Sequence, residues 1–162
     1  MAKHQIQIDF DHYPTEQDLP PQTVLLLDYA IKALDLAYAP YSGFQVGAAL
    51  LMANGEFVTG SNQENAAYPS GMCAERTAVY YAGSRYPGVA ILELVVVARR
   101  KGEQSLVPAC PCGSCRQALM EYEERQSQPI RMVFKQKHAG FLGLASVGDS
   151  LPFKFGADAL GH

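Results

Sequence analysis

The chain has 162 residues, 48% hydrophobic and 18% charged, enough for one domain with a sizeable core and too few for two of ordinary size. Its 14 Gly and 10 Pro exclude a collagenous, coiled-coil or wholly disordered chain, and the longest apolar stretches, 24–27 and 94–98, fall far short of the roughly 18 residues of a membrane span. Thirteen basic against 16 acidic residues leave a net charge of −3, so no phosphate-neutralising surface for nucleic acid is expected and a small neutral or cationic substrate is easier to accept.

Residues 1–21 hold Pro14, Pro20 and Pro21 and a short alternation of Ile6, Ile8 and Phe10. They read as an N-terminal arm able to supply one edge strand, with the folded domain over 22–162. No apolar run of signal-peptide length opens the chain, which points to the thiol-reducing cytoplasm. A Leu- and Ala-rich segment predicts a helix over 22–39, stopped by Pro40, because proline disfavours helical geometry in the residue before it. Strands follow at 44–52 and 56–60, joined by Ala53-Asn54-Gly55, since Asn-Gly accepts the positive φ of a tight hairpin.

A second helix is predicted over 74–82, ending at Gly83, then a Val-rich buried strand over 92–98. A third helix spans 113–125, followed by strands at 130–134 and 141–146. This alternation argues an α/β domain in which helices cover a mixed sheet of about five strands.

Chemistry concentrates in four cysteines: Cys73, in Cys73-Ala74-Glu75-Arg76, and Cys110, Cys112 and Cys115, in Cys110-Pro111-Cys112-Gly113-Ser114-Cys115-Arg116. C-x-x-C alone serves redox and metal chemistry alike. Cys112 and Cys115 share one face at the start of the third helix, where the helix dipole and free N–H groups favour thiolate. Glu75 heads the apolar stripe Ala78, Val79, Ala82, which aims its carboxylate inward. Cys73 would lie about 200° from Glu75 in a regular helix, so it shares that site only from a position at the helix start, outside the regular turns.

If the two helix ends converge, three thiolates hold Zn²⁺ and leave a fourth tetrahedral position for water, as in catalytic zinc sites. The metal lowers the pKa of that water, and a buried carboxyl can move its proton. Arg76 and Arg116 are candidates to offset the sulfur charge. Cys110 could close the site as a fourth sulfur, but Pro111 stiffens the C-x-C chelate, so it reads as a packed small side chain.

Cys73-Ala74-Glu75-Arg76 with Pro111-Cys112-Gly113-Ser114-Cys115-Arg116-Gln117 resembles the zinc-dependent cytidine deaminases, specifically their small homotetrameric branch with three cysteine ligands. The resemblance extends to the segment Ala39-Pro40-Tyr41-Ser42-Gly43-Phe44, to Gly60-Ser61-Asn62-Gln63-Glu64-Asn65 with Tyr68, and to Leu151-Pro152 and Phe155-Gly156. It implies a three-layer α/β/α fold and one zinc per subunit on Cys73, Cys112 and Cys115. Glu75 is implied as the catalytic proton shuttle, and Arg76 as the arginine that hydrogen-bonds the ligand sulfurs. Phe44, Asn62, Glu64, Tyr68, Ala74 and Phe155 are implied as substrate contacts, with Phe155 and Tyr68 reaching a neighbouring subunit's site. The reaction implied is hydrolysis of cytidine or deoxycytidine to the uridine nucleoside and ammonia, in pyrimidine salvage.

On pattern alone Phe44 belongs to the core and Asn62 and Glu64 to a turn. A deaminase of another aminated heterocycle would change the sugar contacts, a zinc-stabilised binding module would have no use for Glu75, and a thiol oxidoreductase would need no third cysteine.

Overall fold

Two βαβ crossovers organise the chain. The computed structural model describes residues 1–137 and 140–161. Among them lie β1 (Asp11–Tyr13), α1 (Pro21–Leu34), β2 (Phe44–Met52), β3 (Phe57–Ser61), α2 (Ala74–Arg85), β4 (Ile91–Arg100), α3 (Gly113–Gln126), β5 (Arg131–Lys135) and β6 (Phe141–Leu144). The strands form one mixed sheet in the order β1-β6-β5-β4-β2-β3. That is six strands where about five were expected, the sixth being β1 at the edge beside β6. The arm does supply an edge strand, but through Asp11–Tyr13. Ile6, Ile8 and Phe10 remain exposed.

β2 runs antiparallel to both β3 and β4, so those two are parallel to each other, and β4 pairs parallel with β5. Parallel neighbours need a crossover: α2 connects β3 to β4 and α3 connects β4 to β5. Both helices therefore begin at the carboxyl edge of the strand before them, on the same rim of the sheet.

Side-chain alternation sorts the layers. Ala48, Leu50, Met52, Leu94 and Val96 pack with Ala78, Val79 and Leu119 beneath α2 and α3, while Ala49, Leu51, Val95, Val97 and Val133 pack with Leu26, Leu27, Ala30 and Leu34 of α1 on the opposite face. The result is the expected three-layer α/β/α arrangement.

Three predicted boundaries move for tertiary reasons. The first helix ends at Leu34 instead of 39: Gln45 Nε2 donates to Leu34 O (3.1 Å), Ser61 Oγ donates to Leu36 O (3.1 Å), and Tyr38 N donates to Asn62 O (2.9 Å). Bonds to β2 and to the end of β3 thus replace a last helical turn. Gly83 sits inside α2 and does not end it. A Cβ there would lie 2.7 Å from the Tyr122 hydroxyl, so this glycine serves the close approach of α2 and α3. In the β2–β3 turn only Gly55 takes positive φ (84°); the Asn54 side chain instead accepts from Glu56 N (3.2 Å).

A buried polar network fastens the edge strand. Glu93 on β4 is 6% exposed and accepts from Thr23 Oγ1 of α1 at 2.8 Å while facing Arg131 Nε of β5 at 3.3 Å. Arg131 Nη2 in turn donates to Tyr13 OH of β1 (2.6 Å). Removing the guanidinium strands a buried carboxylate, so Arg131→Met should cost about 2–3 kcal/mol of unfolding free energy in urea, and a change below about 0.5 kcal/mol would show the network to be ornamental.

Candidate active site

Cys73 and Cys112 occupy the N-cap positions of α2 and α3 with extended backbone, ψ 153° and 166°. Neither side chain caps its own helix, so both sulfurs turn toward the site. This is the helix-start placement that Cys73 required. Cys115 follows in the first turn of α3 and is fully buried. The three sulfurs lie within 4.8 Å of one another, with Cys112 and Cys115 at 3.5 Å. A tetrahedral zinc with Zn–S bonds near 2.3 Å separates its sulfurs by about 3.8 Å, so the donor set fits that ion in type and spacing. Cys110 stands outside this group.

Arg76 supports the fit. Its Nη2 lies 3.5 Å from Cys73 Sγ, and its Nε is buried with no partner of its own, an arrangement suited to a cluster of negative sulfurs. Hydrogen bonding from the Cys115 thiol, with Arg76 adding to it, pulls the Cys73 thiol down to about 5. Cys115 is pushed up by its bond to Cys73 and by burial, and the neighbouring Cys73 holds the Arg76 guanidinium firmly protonated.

Arg116 does not serve the ligand sulfurs as expected. It donates to Pro111 O (2.8 Å) and Ser150 O (3.1 Å), and its third contact is Cys110 Sγ (3.1 Å). It therefore ties the cysteine loop to the tail.

Glu75 is 4% exposed in the first turn of α2, above the buried stripe Ala78, Val79, Ala82. Burial raises its carboxyl above the usual range, and the charge of Cys73 adds to this. The carboxyl is thereby suited to take up and release a proton.

Cys73, Ala74, Glu75, Arg76 and Cys112 floor a cavity of about 800 Å³, within the size range of small-molecule sites. Phe44, Asn62, Glu64 and Tyr68 line it as well. Asn62 holds the end of β2, with its Oδ1 accepting from Val46 N (2.8 Å) and its Nδ2 donating to Phe44 O (2.9 Å). Glu64 accepts from the Ser42 hydroxyl and from Tyr41 N (3.0 Å), and the Ser42 bond lowers its pKa first of all. Tyr68, 91% exposed, stands at the mouth in a short 3-10 turn.

Phe155 is not brought into the cavity of its own chain. It is exposed in the tail, its carbonyl accepting from Gln117 Nε2 (2.8 Å). Ser42 and Tyr41 were not singled out from sequence as site residues, although both lie in the quoted segment before Phe44. Their role is to aim Glu64, and only the fold brings residues 42 and 64 together.

Fold and site together define a zinc-dependent deaminase, an enzyme that exchanges a ring amine for water. Residues 21–128 match the family model described as the cytidine and deoxycytidylate deaminase zinc-binding region. The chain is 48% identical over 99 residues to a cytidine deaminase of Halalkalibacterium halodurans, covering 60% of this chain and 69% of that protein. To the cytidine deaminase of Mycobacterium tuberculosis it is 36% identical over 139 residues, covering 84% and 91%. The crystal structure of a cytidine deaminase from Burkholderia pseudomallei superposes with a TM-score of 0.69 at 34% identity, covering 85% of this chain and all of that one. The chain belongs to the cytidine and deoxycytidylate deaminase family.

Proposed function

We propose that the protein hydrolyses cytidine and deoxycytidine to uridine and deoxyuridine with release of ammonia. The observation that carries this reading is the buried Glu75 carboxyl beside three converged thiols on the floor of a cavity of nucleoside size. In this reading Cys73, Cys112 and Cys115 hold one zinc per subunit. When bound, the ion supplies Lewis acidity that makes hydroxide available at neutral pH.

Glu75 accepts the proton that water gives up, holds the pyrimidine N3 as charge develops on the ring, and carries protons toward the departing amine. Its raised proton affinity suits each of these steps. Arg76 tempers the sulfur charge. Phe44 packs on the nucleoside, Ala74 abuts the ring from the start of α2, and Asn62 and Glu64 read the sugar hydroxyls. The assembly proposed is a homotetramer in which Phe155 and Tyr68 complete neighbouring sites, which their exposure supports. The setting proposed is the cytoplasm; among the described residues no helix is long and apolar enough to cross a membrane.

Among the residues lining the cavity, Arg76 is the one cation, and it is turned to Cys73. A 5′-phosphate would bring about −2 charge toward Glu64 without a basic partner. Ammonia release should therefore be at least about tenfold more efficient, as kcat/KM, from cytidine than from its monophosphate or from free cytosine. Equal values for cytidine and the monophosphate would remove Glu64 as a sugar-reading residue.

A further inference from the structure

The arm ahead of β1 carries Ile6, Ile8 and Phe10 at 53%, 40% and 59% exposure. It runs straight into the outermost strand of the sheet, which pairs on one side only, with β6. Among the described residues, no backbone hydrogen bond outside the helices and strands begins or ends on residues 1–10. The arm also precedes the family match, which starts at residue 21. A period-two apolar row beside an unpaired sheet edge is a strand waiting for a partner.

We propose that residues 5–11 pair antiparallel with the same residues of a second copy, about a two-fold axis at Ile8. The occupant follows from self-complementarity. In Gln5-Ile6-Gln7-Ile8-Asp9-Phe10-Asp11, this register sets Ile8 against its own copy, Ile6 against Phe10, Gln7 against Asp9 and Gln5 against Asp11. Each carboxylate then faces an amide that can donate to it. Gln7 and Asp9 already make such a bond within one chain, at 2.9 Å. Lys3 falls diagonal to Asp11, within reach of a long side chain.

The competing registers are worse. Centring on Asp9 opposes two carboxylates, which is unfavourable directly across strands. Centring on Gln7 sets Phe10 against His4. A slip by one residue would put every isoleucine opposite a polar residue and mix the two faces. An antiparallel pair of this kind is isologous and closes as a two-fold dimer. It joins two sheets edge to edge and needs nothing from the catalytic reading.

Photo-crosslinking of the full-length protein tests it. With benzoylphenylalanine in place of Ile8 and a mixture of normal and ¹⁵N-labelled copies, mass spectrometry should find heavy-to-light crosslinks joining residue 8 to residues 6–10 of the other copy. Ile6→Glu or Phe10→Lys alone should cut that yield at least about fivefold, because each buries an unpaired charge, and the double variant should restore it to within about twofold. Crosslinks that run instead into residues 21–161, crosslinks indifferent to the charge exchange, or none between copies would each overturn the proposal.

Discussion

Glu75→Gln should keep its zinc and lose at least about 10³-fold in turnover on cytidine. Glutamine matches glutamate in size and keeps a hydrogen bond, but it cannot carry a proton. Proton transfer by a positioned group is typically worth about 10²- to 10⁴-fold, and loss of a hydrogen bond that tightens as charge develops on the ring adds to it. Cys73→Ala sets the contrast. It removes a sulfur from the cluster, so metal content and activity should fall together. Zinc per subunit and turnover on cytidine, measured for both variants, separate the two duties. A Glu75→Gln enzyme that retains zinc and runs within about tenfold of the parent would show that another group moves the proton.

The second large effect is expected at a residue with no side chain. A Cβ on Gly60 would lie 2.4 Å from Ala74 O and 2.6 Å from Ala78 N, both backbone atoms of α2. Backbone cannot swing aside as a flexible side chain does, so Gly60→Ala must push the helix off β3. The expected cost is about 2–4 kcal/mol, or a melting temperature lower by roughly 5–10 °C. Ala74 stands between Cys73 and Glu75, so the displaced turn carries a sulfur and the carboxyl with it, and zinc content should fall as well. A Gly60→Ala protein with unchanged melting temperature and full zinc would mean that α2 is not seated on that glycine.

The sequence was most legible where a local rule and the tertiary structure agree. Glu75 at the head of the stripe Ala78, Val79, Ala82 could be read from helical spacing, and all four side chains are buried. The placement of Cys73 could be stated only as a condition, because a residue at an N-cap escapes the angular rule that governs the helix after it. The end of α1 was not legible. Residues 35–39 are apolar enough to continue the helix, and what stops it at Leu34 is a set of bonds from Gln45, Ser61 and Tyr38 to partners distant in the chain. Gly83 was misread as a helix stop for a similar reason, since the ring of Tyr122 that fills its Cβ position lies nearly forty residues away in sequence. The aiming of Glu64 by Ser42, across 22 positions, had no local signature at all. Alternation and motif spacing expose what a segment does by itself, and these features depend on a second segment.

The two crossovers have a consequence for how the chain can diversify. Since α2 and α3 both begin on one rim of the sheet, the segments 62–73 and 101–112 that lead into them set the register of each sulfur and of Glu75. One added residue there would turn a helix start by about 100° and dismantle the site. The opposite rim carries the β2–β3 turn at Gly55 and the turns at Gly88 and Ser127, where the backbone takes positive φ. A lengthening on that side leaves every helix start where it was. The fold thus divides into a conservative rim, where a single insertion is fatal to chemistry, and a permissive one, where natural variation or an engineered label can accumulate.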